Sequence, residues 1–234
     1  MLDPVIVLGM HRSGTSLLTG CLQAAGLYLG DVNDSAPFNR KGNKENESIR
    51  RLHDDILSRL GHDWKRPPTR PVAWTENEKA RLKELLEPYR HIERLWGIKD
   101  PRTVWLLDHW LDLFPGAHLV GVFRHPSLVV DSLGARPGVL GLPSHKGIEL
   151  WKITNRRILA LHERFGFPLL HFSEPPYFEE TFLDPLQSFC QHLSLNGNPR
   201  IFFDLSLVNH KRINFELSSE VMKLYDRLVN ASVN

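Results

Sequence analysis

Five consecutive residues near the start, Arg12, Ser13, Gly14, Thr15 and Ser16, have types and spacing that could hold a phosphate. They follow a short apolar run, Val5 to Leu8, whose β-branched content suits a strand buried on both faces. Gly9 and Gly14 bracket a tight loop, and Leu17 to Ala25 has the apolar spacing of a helix packed back on the sheet. A strand, a glycine-bracketed loop and a helix start aim several backbone N–H groups at one point, where the helix dipole favours an anion. A nucleotide-triphosphate loop reads G-x-x-x-x-G-K-[ST], its Lys reaching the β/γ-phosphates and its hydroxyl holding Mg²⁺. Gly9, Gly14 and Ser16 keep that spacing, but Thr15 stands in the Lys position and the cation is Arg12, inside the loop. The cradle is kept and the γ-phosphate group is lost, which weighs against a kinase or ATPase.

A second anion-binding pair lies further on. Arg124 directly follows the apolar run His118 to Phe123, and Ser132 is eight positions later, inside the following helix. Arg124 offers a planar fork of donors, and Ser132, two turns into its helix, can reach the same anion. Alone, the pair reads equally well as a surface Arg and a solvated Ser. A third polar patch, Lys99-Asp100-Pro101-Arg102, closes another short apolar run.

The stretch Arg12-Ser13-Gly14-Thr15-Ser16 resembles the 5′-phosphosulfate loop of sulfotransferases that use 3′-phosphoadenosine 5′-phosphosulfate (PAPS). Its Arg is similar to the tyrosylprotein and many bacterial members. Val122 to Pro126 through Asp131-Ser132 is similar to the 3′-phosphate motif of the same family. Lys99-Asp100-Pro101-Arg102 and Asn39 to Asn46 resemble a bacterial group within it. The resemblance implies that Lys99 contacts the sulfuryl group, while Pro101 stands where cytosolic members carry the catalytic His. It also implies that Glu45 matches a Glu of those relatives, and Glu45 is the first candidate for the general base, with Asp100 second and Glu47 third; helix-terminal charge complementarity is the competing role for Glu45. Lys211 and Arg212, in the basic run Asn209 to Arg212, match the late basic loop that reaches the nucleotide, although a solvated charge run explains them better.

The elements that must position these residues follow from pattern. Glu45 to Leu60 carries a helical stripe at Ile49, Leu52, Ile56 and Leu60, and Thr75 with Glu78 predicts a capping box. Leu95 to Lys99, His118 to Phe123 and Pro168 to Phe172 read as further strands. Helices are expected to about Phe114, from Pro126 to Leu133, Ile148 to Phe165, Phe178 to Leu193 and Ser218 to Val229. Gly134 to Pro143 reads as a flap. Strands alternating with helices predict a single α/β domain over 1–234, with a mostly parallel sheet flanked by helices and ligands at the strands' carboxyl ends. Together with the resemblance, this implies the P-loop-like sulfotransferase fold.

Net charge +2 over 234 residues is too mild to argue for nucleic acid. No apolar run approaches the roughly eighteen residues of a membrane span, and the expected location is cytoplasmic. Cys21 and Cys190 fall in apolar helical patterns and read as buried thiols. No His or Cys spacing suggests a metal, so none is expected. The expected reaction is in-line sulfuryl transfer from PAPS to a hydroxyl of a glycan, phenol or other small molecule. A P-loop kinase-like enzyme and a non-catalytic nucleotide-binding module remain the alternatives. Oligomeric state is left open.

Overall fold

A computed structural model describes residues 1–36, 39–135, 141–204 and 216–232. Four strands, β1 (Val5–Gly9), β2 (Gly97–Lys99), β3 (His118–Arg124) and β4 (Leu169–Phe172), form one parallel sheet in the order β2-β1-β3-β4. The register pairs Val5 with Gly97 and with His118, and Gly121 with Leu169. All five residues of β1 are buried, as a strand covered on both faces requires. Its side-chain alternation divides the core. Ile6 and Leu8 point into one apolar layer with Phe123, Trp110 and Trp151, whereas Val5 and Val7 join Leu18, Leu22 and Phe182 on the other.

The helices follow the expected order: α1 (Thr15–Ala24), α2 (Glu47–Arg59), α3 (Glu76–Leu85), α4 (Thr103–Leu113), α5 (Pro126–Gly134), α6 (Ser144–Phe165), α7 (Asp184–His192) and α8 (Ser219–Ser232). The α3 capping box is present: Thr75 Oγ1 accepts from Glu78 N and Glu78 Oε2 accepts from Thr75 N. α2 starts two residues later than its stripe suggested. Asn46 caps it by accepting from the N–H groups of Ser48 and Ile49, which leaves Glu45 just outside the helix. The expected helix from Phe178 begins instead as a π-helical turn, Glu179–Leu183, before α7. Among the described residues no helix is long and apolar enough to cross a membrane.

The carboxyl ends of the strands define the functional rim. Because β1 is flanked by β2 and β3, the connections leaving β1 and β3 open a crevice there. At the end of β4, His171 stacks on Phe123 at 4.7 Å and shares a 2.9 Å hydrogen bond with Tyr225 of α8. Burial, with help from His125, lowers the His171 pKa from 6.5 to about 4. The unfolded chain therefore takes up this proton first as pH falls. The contribution is complete above pH 6.5 and is lost on the way down to about 4. Stability is expected to fall by on the order of 3 kcal/mol across that window from this group. Urea titrations of wild type and His171→Gln check it, the variant losing that part of the slope.

Candidate active site

The loop after β1 turns tightly enough to use its own backbone. Ser13 N donates to Met10 O at 3.2 Å, so this N–H is spent on the turn and only the later ones can face a ligand. Arg12 and Gly14 both adopt left-handed backbone, at φ 69 and 94. No side chain caps α1 and its first turn holds no acidic residue. The N–H groups of Thr15, Ser16 and Leu17 therefore lack intrahelical acceptors at an end where the dipole is positive. Ser13 is fully buried, and its Oγ has no hydrogen-bond partner among the described residues. A buried hydroxyl left unpaired is costly, and an anion in the loop would satisfy it.

Phe172, the last residue of β4, supports both cationic corners. A Cβ on Gly14 would lie 2.6 Å from Phe172 Cδ1, closer than packing allows. The same ring carries the Arg124 guanidinium at 4.7 Å. Gly14→Ala combines this clash with a left-handed backbone and is expected to cost on the order of 1–3 kcal/mol. Chemical denaturation of the variant against wild type measures it.

The two sequence motifs meet. Arg12 Nε donates to Ser132 Oγ at 2.7 Å across 120 residues, joining the loop after β1 to the helix after β3. Arg124 is 7 % exposed, and burial lowers its pKa to about 10 despite nearby Glu174 and Asp131. Its carbonyl accepts from Trp151 Nε1, which anchors the strand end to α6. His125 caps α5 through Nδ1, which accepts from Ser127 N at 3.3 Å.

A third group forms at the end of β2. Lys99 Nζ donates to Glu45 Oε1 at 2.6 Å and to Asn43 O at 2.7 Å, and both side chains of the ion pair are buried. Ser16 Oγ donates to the same Asn43 carbonyl at 3.1 Å. In the structure this hydroxyl fastens the Asn39–Asn46 stretch to the cradle, a use the sequence pattern did not show. Thr15 is buried, its methyl set against Gly9, where a Cβ would meet it at 2.5 Å.

Asp100 and Glu47 are placed differently. Asp100 Oδ2 lies 2.8 Å from His53 Nδ1, and Oδ1 accepts from Arg102 N and Nη1. Although burial opposes it, Arg102 with His53 holds this carboxyl far below the usual range, the reverse of a poised base. Glu47 is chelated by Arg50 and Arg51 on the outside of α2, and the Arg50 hydrogen bonds bring its pKa down to about 2. Lys211 and Arg212 lie outside the described residues, as does the middle of the Gly134 to Pro143 segment. Among the described residues no group of three or more His, Cys, Asp or Glu side chains gathers to hold a metal ion.

Sequence reasoning missed His53, Asp54 and Phe172. His53 offered a faint signal, a polar residue beside the apolar stripe of α2, and it is fully buried. Its Nε2 accepts from Trp110 Nε1 at 3.2 Å, and indole is a donor only, which puts the imidazole proton on Nδ1, toward Asp100.

Fold and rim together describe an α/β protein that places an uncapped helix start, the half-buried Arg12, the buried Arg124 and a buried Lys–Glu pair along one edge of a parallel sheet. The chain belongs to the sulfotransferase family, whose family model matches residues 4–166. Among solved structures it is similar to the sulfotransferase domain of the Synechococcus PCC 7002 olefin synthase. That likeness has a TM-score of 0.55 at 18% identity, covers 98% of this chain and 96% of that one, and speaks to the fold. Sulfotransferase STF1 from Mycobacterium tuberculosis H37Rv resembles it more loosely, with a TM-score of 0.43 at 15% identity over 97% of this chain and 71% of that one. No curated protein matches the chain significantly.

Proposed function

We propose that this chain transfers a sulfuryl group from PAPS to the hydroxyl of an acceptor by in-line displacement. The observation that carries the reading is the Arg12–Ser132 contact at 2.7 Å, which brings the predicted 5′- and 3′-phosphate motifs to one spot. The unpaired Ser13 hydroxyl and the uncapped start of α1 fit a phosphate there. PAPS would supply an activated sulfuryl group and an anionic nucleotide as leaving group.

On this reading Arg12, the N–H groups of Gly14 to Ser16 and the Ser13 hydroxyl hold the 5′-phosphate, and Arg12 stabilises charge where the sulfur–oxygen bond breaks. Arg124 and Ser132 hold the 3′-phosphate. Lys99 steadies the sulfuryl oxygens. Glu45 takes the acceptor proton on Oε2, while Oε1 binds Lys99. Asp100 serves the scaffold. The acceptor is a small molecule or glycan hydroxyl, approached past the Asn39–Asn46 stretch.

A thermal-shift comparison tests the nucleotide. Adenosine 3′,5′-bisphosphate at 100 times its Kd is expected to stabilise the chain by about 2.7 kcal/mol, with ATP and Mg²⁺ giving much less. The reverse order would favour a kinase. Transfer of labelled sulfate from PAPS to an acceptor mixture then separates an enzyme from a binding module.

A further inference from the structure

We propose that Asp54, acting through Arg50 and Arg102, is a positioning residue that holds Glu45 and Lys99 in register for transfer. The inference rests on the reading that these two groups stand at the reacting centre. They come from distant stretches: Glu45 lies one residue before the α2 cap and Lys99 is the last residue of β2. Something must fix α2 against the end of β2.

A ladder of alternating charge spans that gap. Arg50 bonds Glu47 in the first turn of α2 and reaches Asp54 one turn further on. Asp54 Oδ1 accepts from Arg102 Nε, and Arg102 Nη1 donates to Asp100 Oδ1 at 2.8 Å. Asp100 directly follows Lys99, so the ladder ends where β2 ends. Its other end, Glu47, stands two residues after Glu45 in the chain. The Glu47 hydrogen bonds, and more weakly Asp54 and Glu45, raise the Arg50 pKa above its ordinary range.

Stability alone does not account for this arrangement. Asp54 and Arg50 are partly open to solvent, where such pairs contribute little, and ordering two arginines costs side-chain entropy. What the ladder does is set the helix in register with the strand. Catalytic groups must be held to within about 0.5 Å, and a displacement of about 1 Å can cost on the order of 100-fold in rate. Beside the buried His53–Asp100 bond, Asp54 is a second rung that joins an α2 side chain to the β2–α4 turn, and it does not itself lie at the centre.

The test follows labelled sulfate leaving PAPS, either to the acceptor chosen from the mixture or to water. Asp54→Ala is expected to lower kcat by about 10- to 100-fold. KM for PAPS and affinity for adenosine 3′,5′-bisphosphate should stay within about 2-fold, because the phosphate groups are held elsewhere. Asp54→Asn keeps an acceptor for Arg102 and should recover most of the rate. Added to Glu45→Gln, Asp54→Ala should cause no further loss, since both changes act on one group. A folded Asp54→Ala chain with wild-type kcat overturns the proposal. So does a loss that adds in full to Glu45→Gln, or one that falls equally on nucleotide affinity. Wild-type turnover in Glu45→Gln alone would instead sink the assignment of the base.

Discussion

Turnover of Glu45→Gln is expected to fall by on the order of 10²- to 10⁴-fold, while affinity for adenosine 3′,5′-bisphosphate stays within about 2-fold. The geometry sets both halves of that result. Glu45 Oε1 is 2.6 Å from Lys99 Nζ in a buried pair, so a neutral amide of the same shape can keep one hydrogen bond and the local packing. What it cannot do is accept a proton. The proposed phosphate ligands belong to other elements, the loop after β1 and the β3–α5 junction, so nucleotide binding should not notice the change. Asp100 and Glu47 cannot substitute, because Arg102 and His53 engage the first and two surface arginines the second. Single-turnover kinetics with labelled PAPS, paired with calorimetry on the bisphosphate, separate the two effects.

Arg12→Ala is the second large expectation, and it has the opposite signature. Both binding and turnover should fall, with kcat down by on the order of 10²- to 10³-fold, as for the loss of one preorganised donor at a developing charge. Arg12 also holds the contact to Ser132 and sits in left-handed backbone, so its removal is expected to loosen both proposed phosphate corners together. Arg12→Lys should recover part of the binding, because it keeps the charge and loses the planar fork. If Arg12→Ala kept wild-type affinity for the bisphosphate, the cradle would have been misassigned.

Much of this was legible before any coordinates. The β-branched run of β1, the Gly9 to Gly14 spacing and the Thr75–Glu78 box are local signals, and local signals survive folding. The Arg124–Ser132 spacing was legible as a pair but not as a partner of Arg12, because a contact across 120 residues depends on strand order. The Lys99–Glu45 pair was hidden for the same reason. Ser16 illustrates a different limit: the loop pattern assigns its hydroxyl to a phosphate, and the folded chain bonds it to the Asn43 carbonyl. Asp100 looked like a candidate base because sequence does not show that Arg102, two residues on, and His53, on another helix, surround it. The start of α2 slipped by two residues because the apolar stripe marks a face, whereas the boundary is set by the Asn46 cap.

The claim on which all of this depends is that Arg12 and Arg124 serve one doubly phosphorylated adenosine. A crystal structure of the chain with adenosine 3′,5′-bisphosphate tests it most directly. The expected density places the 5′-phosphate over Ser13 to Ser16 beside Arg12, and the 3′-phosphate between Arg124 and Ser132. A well-occupied nucleotide bound anywhere else, or with either phosphate turned away from its arginine, would contradict the account.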